Sequence, residues 1–264
     1  MITSTSNPQI KNINSLLRLA KERRRQGLFV AEGRRMCEEA PLSRVEKVYI
    51  SESYVGEYGL ERWEDVPVEI TSDDVFRSLS DTKTPQGILA LVRQDSRSAQ
   101  ELIDSLPEKP LVICLENLQD PGNLGTILRT AEGAGVDAVF MSKDCVDLYS
   151  PKVTRSTMGA MYRMPVGIAA GEDDFLRILS SLQGKGIVCY AAILEESVLY
   201  TTPDYRKGTA FLIGNEGNGL TPQTIALCDG RIRIPMAGKL ESLNASVAAS
   251  LLMYEAARQR NNWH

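Results

Sequence analysis

Three polar, glycine-rich segments hold the residues of this 264-residue chain that are best suited to chemistry. The first segment, ENLQDPGNLGTILRTA, covers residues 116–131 and contains Asn123 and Arg129. Pro121-Gly122 predicts a turn, after which the backbone amides of a new helix could receive an anion or a polar group. Taken alone, Asn123 could be an ordinary helix cap and Arg129 a surface ion-pair partner.

The second segment, FLIGNEGNGL over residues 211–220, has Glu216 as its one charged residue. Its glycines are spaced G-x-x-G-x-G, whereas a dinucleotide fingerprint requires G-x-G-x-x-G between a strand and a helix. This spacing disfavours a nicotinamide-dependent oxidoreductase. A glycine-rich loop still lets a ligand approach the backbone closely.

The third segment, IPMAGKLESLNASVAA, covers residues 234–249. We expect a strand to end near Pro235 and Ser242 to cap the final helix. An ordinary capped helix would not explain why Ser242 and Asn244 together form a polar pair at the mouth of the predicted sheet.

Strands and helices that alternate from residue 111 onward are expected to position these segments. LVICLEN, VDAVFMS, GIVCYAA, TAFLIGN and GRIRIP resemble buried strands, and the alternation predicts an α/β fold with a mainly parallel sheet covered on both faces. Ligands of such sheets bind at the carboxyl ends of the strands. The three segments all follow strands, so we expect them to converge at one edge.

The N-terminal part predicts a small α/β domain over residues 1–95, a linker over 96–109 and a second domain over 110–264. A helix is expected over residues 8–26, followed by strands at LFVAEG, VEKVYIS and ILALVRQ. Basic residues are concentrated between Lys11 and Arg35, and such a patch can bind phosphates even on a chain whose net charge is −4. A solvated helix face is the alternative interpretation of the same pattern.

Composition excludes several classes of chemistry. The one histidine is His264, so neither a Ser-His-Asp triad nor a histidine-rich metal site can form. The five cysteines form no CxxC pair, and we expect no metal. The N-terminus has no apolar signal region and no stretch is long enough to cross a bilayer, which predicts a cytoplasmic protein that does not bind membranes.

In their order and wording, ENLQDPGNLGTILRTA, IGNEGNGL and IPM…SLNASVAA resemble the three motifs of the SpoU (TrmH-type) RNA 2′-O-ribose methyltransferases, within the SPOUT class. The resemblance covers roughly residues 110–260. The segment TSTSNPQIKNINSLL…RRRQGLFVAEGRRMCEEA resembles the substrate-binding extension of many such enzymes, which is similar to a small ribosomal RNA-binding protein. The resemblance implies a C-terminal trefoil-knotted domain, S-adenosylmethionine as the cofactor, an RNA substrate and a homodimer.

The resemblance also assigns residues to roles. The polar residues aligned with those that the family needs for activity are Arg129, Asn123, Glu216, Ser242 and Asn244. The residues expected to contact the cofactor are Gly214, Ile234, Met236, Leu243 and Asn244. With an RNA substrate, the basic segment predicts RNA contacts by Arg23, Arg24, Arg25 and Arg35.

The reaction requires the acceptor 2′-hydroxyl to lose its proton, and the resemblance points to Arg129 as the group that acts on it. A guanidinium stays protonated in proteins. Our hypothesis is therefore that Arg129 binds the adjacent phosphate and stabilises the developing alkoxide. We expect Asn123 and Arg129 to face the RNA, and the segments at Glu216 and Asn244 mainly to hold the cofactor.

The extension favours ribosomal RNA, of the 23S type, over transfer RNA, because extensions of this type are commoner among the rRNA-modifying members. Two alternatives stay open: a tRNA 2′-O-methyltransferase, and a non-catalytic RNA-binding protein of the same fold that acts in ribosome assembly.

Overall fold

The computed structural model describes residues 1–80, 82, 84–240 and 242–261, and His264 lies outside them. The chain divides into two compact units. The first comprises residues 1–96 and 147–162, and the second comprises residues 97–146 and those from 163 onward. This division differs from the predicted boundaries, because residues 147–162 group with the N-terminal unit and most of the predicted linker groups with the second.

Helices form much of both units, and their bounds in chain order are α1 Pro8–Arg18, α2 Ala20–Gln26, α3 Arg34–Glu38, α4 Glu52–Tyr58, α5 Asp73–Arg77, α6 Ala99–Asp104, α7 Pro121–Ala134, α8 Pro151–Thr157, α9 Glu172–Gly184, α10 Pro222–Leu227 and α11 Ala245–Arg260. Short 3-10 turns lie at Leu42–Arg44, Glu61–Trp63 and Ala160–Tyr162. The strands are β1 Leu28–Glu32, β2 Val45–Ser51, β3 Val68–Thr71, β4 Ile88–Arg93, β5 Leu111–Leu115, β6 Ala138–Met141, β7 Val166–Ile168, β8 Val188–Ala192, β9 Val198–Leu199, β10 Thr209–Ile213 and β11 Gly230–Arg233.

The first unit has a four-stranded sheet in the order β1-β4-β2-β3. Strand β4 pairs antiparallel with both β1 and β2, while β2 and β3 are parallel. Consequently β1, β2 and β3 end at the same edge, and each is followed there by a helix. One apolar core covers one face with Phe29, Val48, Ile50 and Trp63, and the other face packs on α1 and α5 through Ile10, Ile13 and Phe76.

The helix predicted over residues 8–26 is broken at Leu19, which is extended. Helix α1 therefore leaves its last carbonyl groups without helical partners. The Arg23 guanidinium fills this gap, donating hydrogen bonds to the carbonyl oxygens of Leu16 at 2.5 Å and Leu17 at 3.2 Å. The prediction of one continuous helix was wrong, since the backbone is extended at Leu19 and Arg23 stabilises the break by bonding the exposed carbonyl groups.

The second unit has a seven-stranded sheet in the order β7-β6-β5-β10-β8-β11-β9, and every pairing is parallel. Helices α7 and α11 pack on each other and α11 contacts β5 and β10, while α6, α9 and α10 pack together. This confirms the predicted α/β fold with a parallel sheet. Strands β5 and β10 are fully buried, as their continuous apolar sequences predict.

The parallel sheet brings the three polar segments to one edge. Segment 116–131 follows β5, segment 214–220 follows its neighbour β10, and segment 234–249 follows β11. Within the described ranges, no helix has the length and apolarity needed to cross a membrane. Those same ranges also contain no group of three or more His, Cys, Asp or Glu residues placed to hold a metal ion.

Candidate active site

Asn123 joins the three polar segments through its side-chain amide. It lies in the first turn of α7, where Asp120 caps the helix by accepting a hydrogen bond from the Asn123 backbone amide at 2.8 Å. The Asn123 Nδ2 donates to Glu216 Oε1 at 2.9 Å, and Asn244 Nδ2 donates to Asn123 Oδ1 at 2.9 Å. One side chain from each segment therefore takes part in a single hydrogen-bonded row.

Asn123 does not face outward as the sequence led us to expect. Its exposed fraction is 7%, and both polar atoms of its side chain are used by Glu216 and Asn244. An amide in this position orients its two neighbours, and its burial keeps it away from a substrate in solvent.

The Glu216 carboxylate accepts two further hydrogen bonds from backbone amides, those of Gln119 at 3.1 Å and Asp120 at 3.0 Å. Burial raises the pKa of this carboxyl group, but the hydrogen bonds from Asn123, Asp120 and Gln119 outweigh it, and the net pKa is lowered. Glu216 is therefore an ionised acceptor that holds the start of α7 against the second segment.

Asn244, and not Ser242, caps the final helix α11. Its Oδ1 accepts hydrogen bonds from the backbone amides of Ser246 at 2.9 Å and Val247 at 3.3 Å, and from Ser246 Oγ at 2.6 Å. The predicted cap was displaced by two residues because the helix begins at Ala245. Ser242 is exposed, and its hydroxyl has no hydrogen bond to a residue that the structure describes.

A cavity of about 420 Å³ opens beside this row of side chains. All of the residues predicted to contact the cofactor line it, namely Gly214, Ile234, Met236, Leu243 and Asn244. Glu216 and Ser242 also line it, whereas the buried Asn123 stands behind them. Its size lies within the range of about 300–1,000 Å³ for small-molecule and cofactor sites, and its mixture of apolar walls with few polar groups is typical of them.

Gly214 lets the cavity wall turn tightly. The backbone amide of Asn215 donates to the Gly219 carbonyl at 3.0 Å, and the reverse bond measures 2.9 Å, so the loop closes on itself. A Cβ atom on Gly214 would lie 2.1 Å from the Gly219 carbonyl carbon and 2.3 Å from the Leu220 nitrogen. Both are backbone atoms, so no side chain can be accommodated here without opening the loop.

Glu116 is a structurally important residue that our sequence reasoning missed. Its exposed fraction is 4%, yet its carboxylate accepts three hydrogen bonds: from Thr221 N at 2.8 Å, Thr221 Oγ1 at 2.8 Å and Thr224 Oγ1 at 2.6 Å. These bonds fasten the end of the second segment to the end of β5. The sequence feature that could have identified Glu116 is its position directly after the wholly apolar strand LVICL.

Arg129 is exposed on α7 and has no hydrogen bond or ion pair with any residue that the structure describes. It lies six residues beyond Asn123, which is about 9 Å along the helix axis. It does not line the cavity. The fold therefore does not bring Arg129 into the row formed by Asn123, Glu216 and Asn244.

The four arginines predicted to contact RNA all lie in the first unit, but they differ in exposure and in their ion-pair partners. Arg23 has an exposed fraction of 4%, and its Nε and Nη2 donate to Asp147 Oδ2 at 2.9 and 2.6 Å. This corrects the prediction for Arg23, because its guanidinium is occupied by helix termination and an ion pair. Arg24, Arg25 and Arg35 are exposed. Arg25 pairs with Glu22 inside α2, and Arg35 pairs with Glu39, the residue that follows α3.

Comparison with known proteins links this geometry to two families. Residues 110–254 match the SpoU rRNA Methylase family, and residues 7–90 match the MRM3-like substrate binding domain. The chain is 30% identical to an uncharacterized tRNA/rRNA methyltransferase of Synechocystis sp., with 98% of this chain and 94% of the relative covered. It is 29% identical to the 23S rRNA (guanosine(2553)-2′-O)-methyltransferase RlmP of Bacillus subtilis, with 96% and 97% covered.

Solved structures agree with the sequence relatives. The AdoMet-bound rRNA methyltransferase from Sinorhizobium meliloti superposes with a TM-score of 0.86 and 29% sequence identity, and 97% of each chain is covered. The SpoU methyltransferase AviRb from Streptomyces viridochromogenes gives a TM-score of 0.82 at 26% identity, with 96% and 98% covered. The family match spans more than half of the chain and includes all three polar segments. The chain therefore belongs to the SpoU rRNA methylase family.

Proposed function

We propose that this chain transfers the methyl group of S-adenosylmethionine to a ribose 2′-hydroxyl of 23S-type ribosomal RNA. The observation that carries the proposal is the row Asn244–Asn123–Glu216, which joins all three family segments beside a cavity lined by every predicted cofactor residue. The ribosomal substrate is supported by the substrate-binding match over residues 7–90 and by the Bacillus subtilis relative, which is named as a 23S rRNA methyltransferase.

The cavity suits S-adenosylmethionine, which supplies an electrophilic methyl group on a sulfonium. Ile234, Met236 and Leu243 provide apolar wall for a flat ring and an aliphatic chain. The bare backbone at Gly214 allows close approach to peptide groups. The ionised Glu216 adds a negative charge at the rim, where a cationic ligand benefits from it.

Asn123 acts as a positioning residue in this proposal, since its buried amide is hydrogen-bonded to both Glu216 and Asn244. It holds the cavity rim and the first turn of α7 in fixed register, so that the acceptor ribose meets the methyl group in line. Ser242 is exposed at the cavity. We assign its hydroxyl to the acceptor ribose, to which it can donate or from which it can accept a hydrogen bond.

Arg129 binds the phosphate next to the acceptor ribose and stabilises the alkoxide as the 2′-hydroxyl proton leaves to solvent or to that phosphate. Its exposure and its lack of a partner among the described residues leave its planar fork available for a bidentate phosphate contact. A guanidinium that remains protonated does not serve as the base.

We assign further RNA contacts to Arg24, Arg25 and Arg35, whose exposed side chains can reach phosphates. Phosphate contacts of this kind set the register of a large RNA without reading its sequence. The same proposal places the enzyme in the cytoplasm, where ribosomal RNA of bacterial type is made.

A second copy of this chain completes the assembly, and α11 offers the surface for it. Val247, Leu251 and Tyr254 lie along one side of that helix with exposed fractions of 47%, 39% and 45%. Their spacing produces a single apolar stripe. The family resemblance implies a homodimer and a trefoil knot. The exposed apolar stripe supports a dimer that forms through α11. Light scattering should then give a dimer for the parent chain and a monomer for Leu251→Glu.

The decisive experiment maps 2′-O-methylated nucleotides in ribosomal and transfer RNA from cells with and without this protein. One 23S-type position should lose its methyl group, and the parent chain should restore it while Arg129→Ala should not. Exposed Arg177 on α9 offers a control, since Arg177→Ala should restore methylation fully. A lost methyl group in transfer RNA would favour that substrate, and no lost methyl group would favour the ribosome-assembly alternative.

The non-catalytic alternative makes a separate prediction about the cofactor. Calorimetric titration with S-adenosylmethionine should show saturable heat for a methyltransferase and none for a protein that only binds RNA.

A further inference from the structure

The first unit has a cavity of its own, of about 370 Å³. It lies at the edge where β1, β2 and β3 end, and residues of α3, α4, α5 and the loop before β4 line it. Carboxyl ends of parallel strands are where open α/β sheets bind ligands. Helix α2, which carries Arg24 and Arg25, leads instead into the opposite end of β1.

Two tyrosine rings, tilted by 41° to each other, and one guanidinium group form one wall of this cavity, which we call the Tyr54–Tyr58–Arg34 stack. The Tyr54 and Tyr58 rings have their centroids 4.7 Å apart, and the Arg34 guanidinium carbon lies 4.6 Å from the centre of the Tyr58 ring. Arg34 Nε donates a hydrogen bond to Glu38 Oε1 at 2.7 Å, which restrains the guanidinium beside the Tyr58 ring. Tyr58 keeps an exposed fraction of 44%, so the stack is open to a further flat group.

The cavity also offers a fixed hydrogen-bond donor at Gln86. The Gln86 Oε1 accepts a hydrogen bond from the Arg34 backbone amide at 2.7 Å, which sets the orientation of the side-chain amide. The Gln86 Nε2 has no partner among the residues that the structure describes. It can therefore donate to a ligand that lies against the Arg34–Tyr58 stack.

The charges that line the cavity balance each other. Arg34 and Arg77 are offset by Glu57 and Asp73, and each arginine also has an ion-pair partner in its own helix. A phosphate would gain little from such a lining, because the positive charges are already compensated. A flat, uncharged ligand with hydrogen-bonding edges fits the stack, the donor and the balanced charge together.

We propose that this cavity, the Arg34–Tyr58 pocket, binds an unpaired nucleobase of the RNA substrate. Proteins that bind single-stranded RNA stack splayed-out bases on aromatic rings and on guanidinium planes. The base extends the Tyr54–Tyr58–Arg34 stack, and Gln86 Nε2 donates to one of its acceptor atoms. The inference rests on the proposed RNA substrate. It adds that the first unit recognises an unpaired base in a loop or bulge of the RNA, in addition to binding phosphates.

The test compares single-stranded with duplex RNA. Fluorescein-labelled oligouridylate and oligoadenylate, and the duplex of the two, are titrated with the full chain at constant salt while fluorescence anisotropy is measured. Tyr58→Ala and Arg34→Ala should weaken single-strand binding about tenfold or more, from the loss of one stacked base. Duplex binding should stay unchanged, because paired bases cannot enter the pocket.

Matched variants separate stacking from other causes. Tyr58→Phe keeps the ring and should bind single strands like the parent chain. Replacing both Arg24 and Arg25 with glutamate should weaken single-strand and duplex binding alike, because their proposed contacts are to phosphates. The inference would be overturned if Tyr58→Ala lost the same affinity for duplex and for single-stranded RNA. It would also be overturned if neither Tyr58→Ala nor Arg34→Ala lost affinity for single strands.

Photo-crosslinking tests the same pocket with the unaltered chain. Oligouridylate carrying 4-thiouridine should crosslink to the peptide that contains α4, whereas crosslinks confined to other peptides would contradict the pocket. Methyl transfer from tritiated S-adenosylmethionine to ribosomal RNA is measured in parallel. A parent chain that methylates RNA but does not crosslink at α4 refutes the pocket alone, while one that neither methylates nor binds RNA refutes the proposed function as well.

Discussion

Replacing Asn123 tests the row that unites the three family segments. Asn123→Ala removes the charge-assisted bond to Glu216, worth about 1.5–3 kcal/mol, and the neutral bond from Asn244, worth about 0.5–1.5 kcal/mol. Glu216 keeps two backbone donors and contact with solvent, so the lower ends of both ranges apply. We expect a loss of about 2 kcal/mol in the free energy of unfolding of the second unit.

Asn123→Asp distinguishes this network from a general packing effect. The new carboxylate would face the ionised Glu216 where the amide now donates at 2.9 Å. Two carboxylates in contact cannot both stay ionised, so one pKa in the folded state rises above its unfolded value of about 4. The loss of unfolding free energy in Asn123→Asp is therefore fully present above the raised folded-state pKa. It disappears as the pH falls towards the pKa of the unfolded state.

The assay is thermal unfolding with and without S-adenosylmethionine, since bound ligand raises the midpoint of the transition to which it is coupled. Between about pH 8 and pH 5, the deficit of Asn123→Asp relative to the parent should shrink, while that of Asn123→Ala should stay constant. The lowered pKa of Glu216 keeps that carboxylate ionised in the parent over this range, so it adds no pH dependence of its own. An Asn123→Asp variant as stable as the parent at pH 8 would show that the Asn123 amide does not donate to Glu216.

Three further changes probe separate parts of the site. Gly214→Ala should abolish calorimetric binding of S-adenosylmethionine, because its Cβ would collide with backbone, whereas Gly184→Ala, which has open space around it, should bind normally. Glu116→Gln turns one accepting oxygen into a donor and should cost about 1–3 kcal/mol of unfolding free energy in urea titrations; an unchanged midpoint would rule out the anchoring role. Arg129→Lys should lower the turnover of ribosomal RNA methylation and leave cofactor affinity unaltered, and full activity would exclude bidentate positioning.

The architecture of the second unit followed from local patterns. Continuous apolar runs such as Leu111–Leu115 mark buried parallel strands, and alternation with helices predicts that their carboxyl ends share an edge. The motif wording then predicted the SpoU family and its reaction class, and the family match confirms the family. Gly214, Met236 and Leu243, which line the cavity, were expected at the cofactor from the family resemblance and not from local patterns.

Details that depend on distant partners escaped sequence reasoning. Arg23 seemed to belong with Arg24 and Arg25, but its burial is decided by Asp147, which is 124 residues away. Asn123 was expected to meet a substrate, although it is buried and both polar atoms of its side chain bond residues 93 and 121 positions later. Spacing along the chain identifies which side chains can act, whereas tertiary contacts decide which atoms are still available.

Residues 147–162 limit how this protein can be divided or recombined. They lie inside the stretch matched to the methylase family, yet they group with the N-terminal unit. Tyr149 contacts Phe29 with ring centroids 4.9 Å apart, and Met161 belongs to the same apolar core. A fragment starting near residue 110 would carry these apolar side chains without their partners and should aggregate. A grafted RNA-binding domain should therefore be chosen to cover Tyr149 and Met161, and an exchange without such cover should lower the stability of the chain.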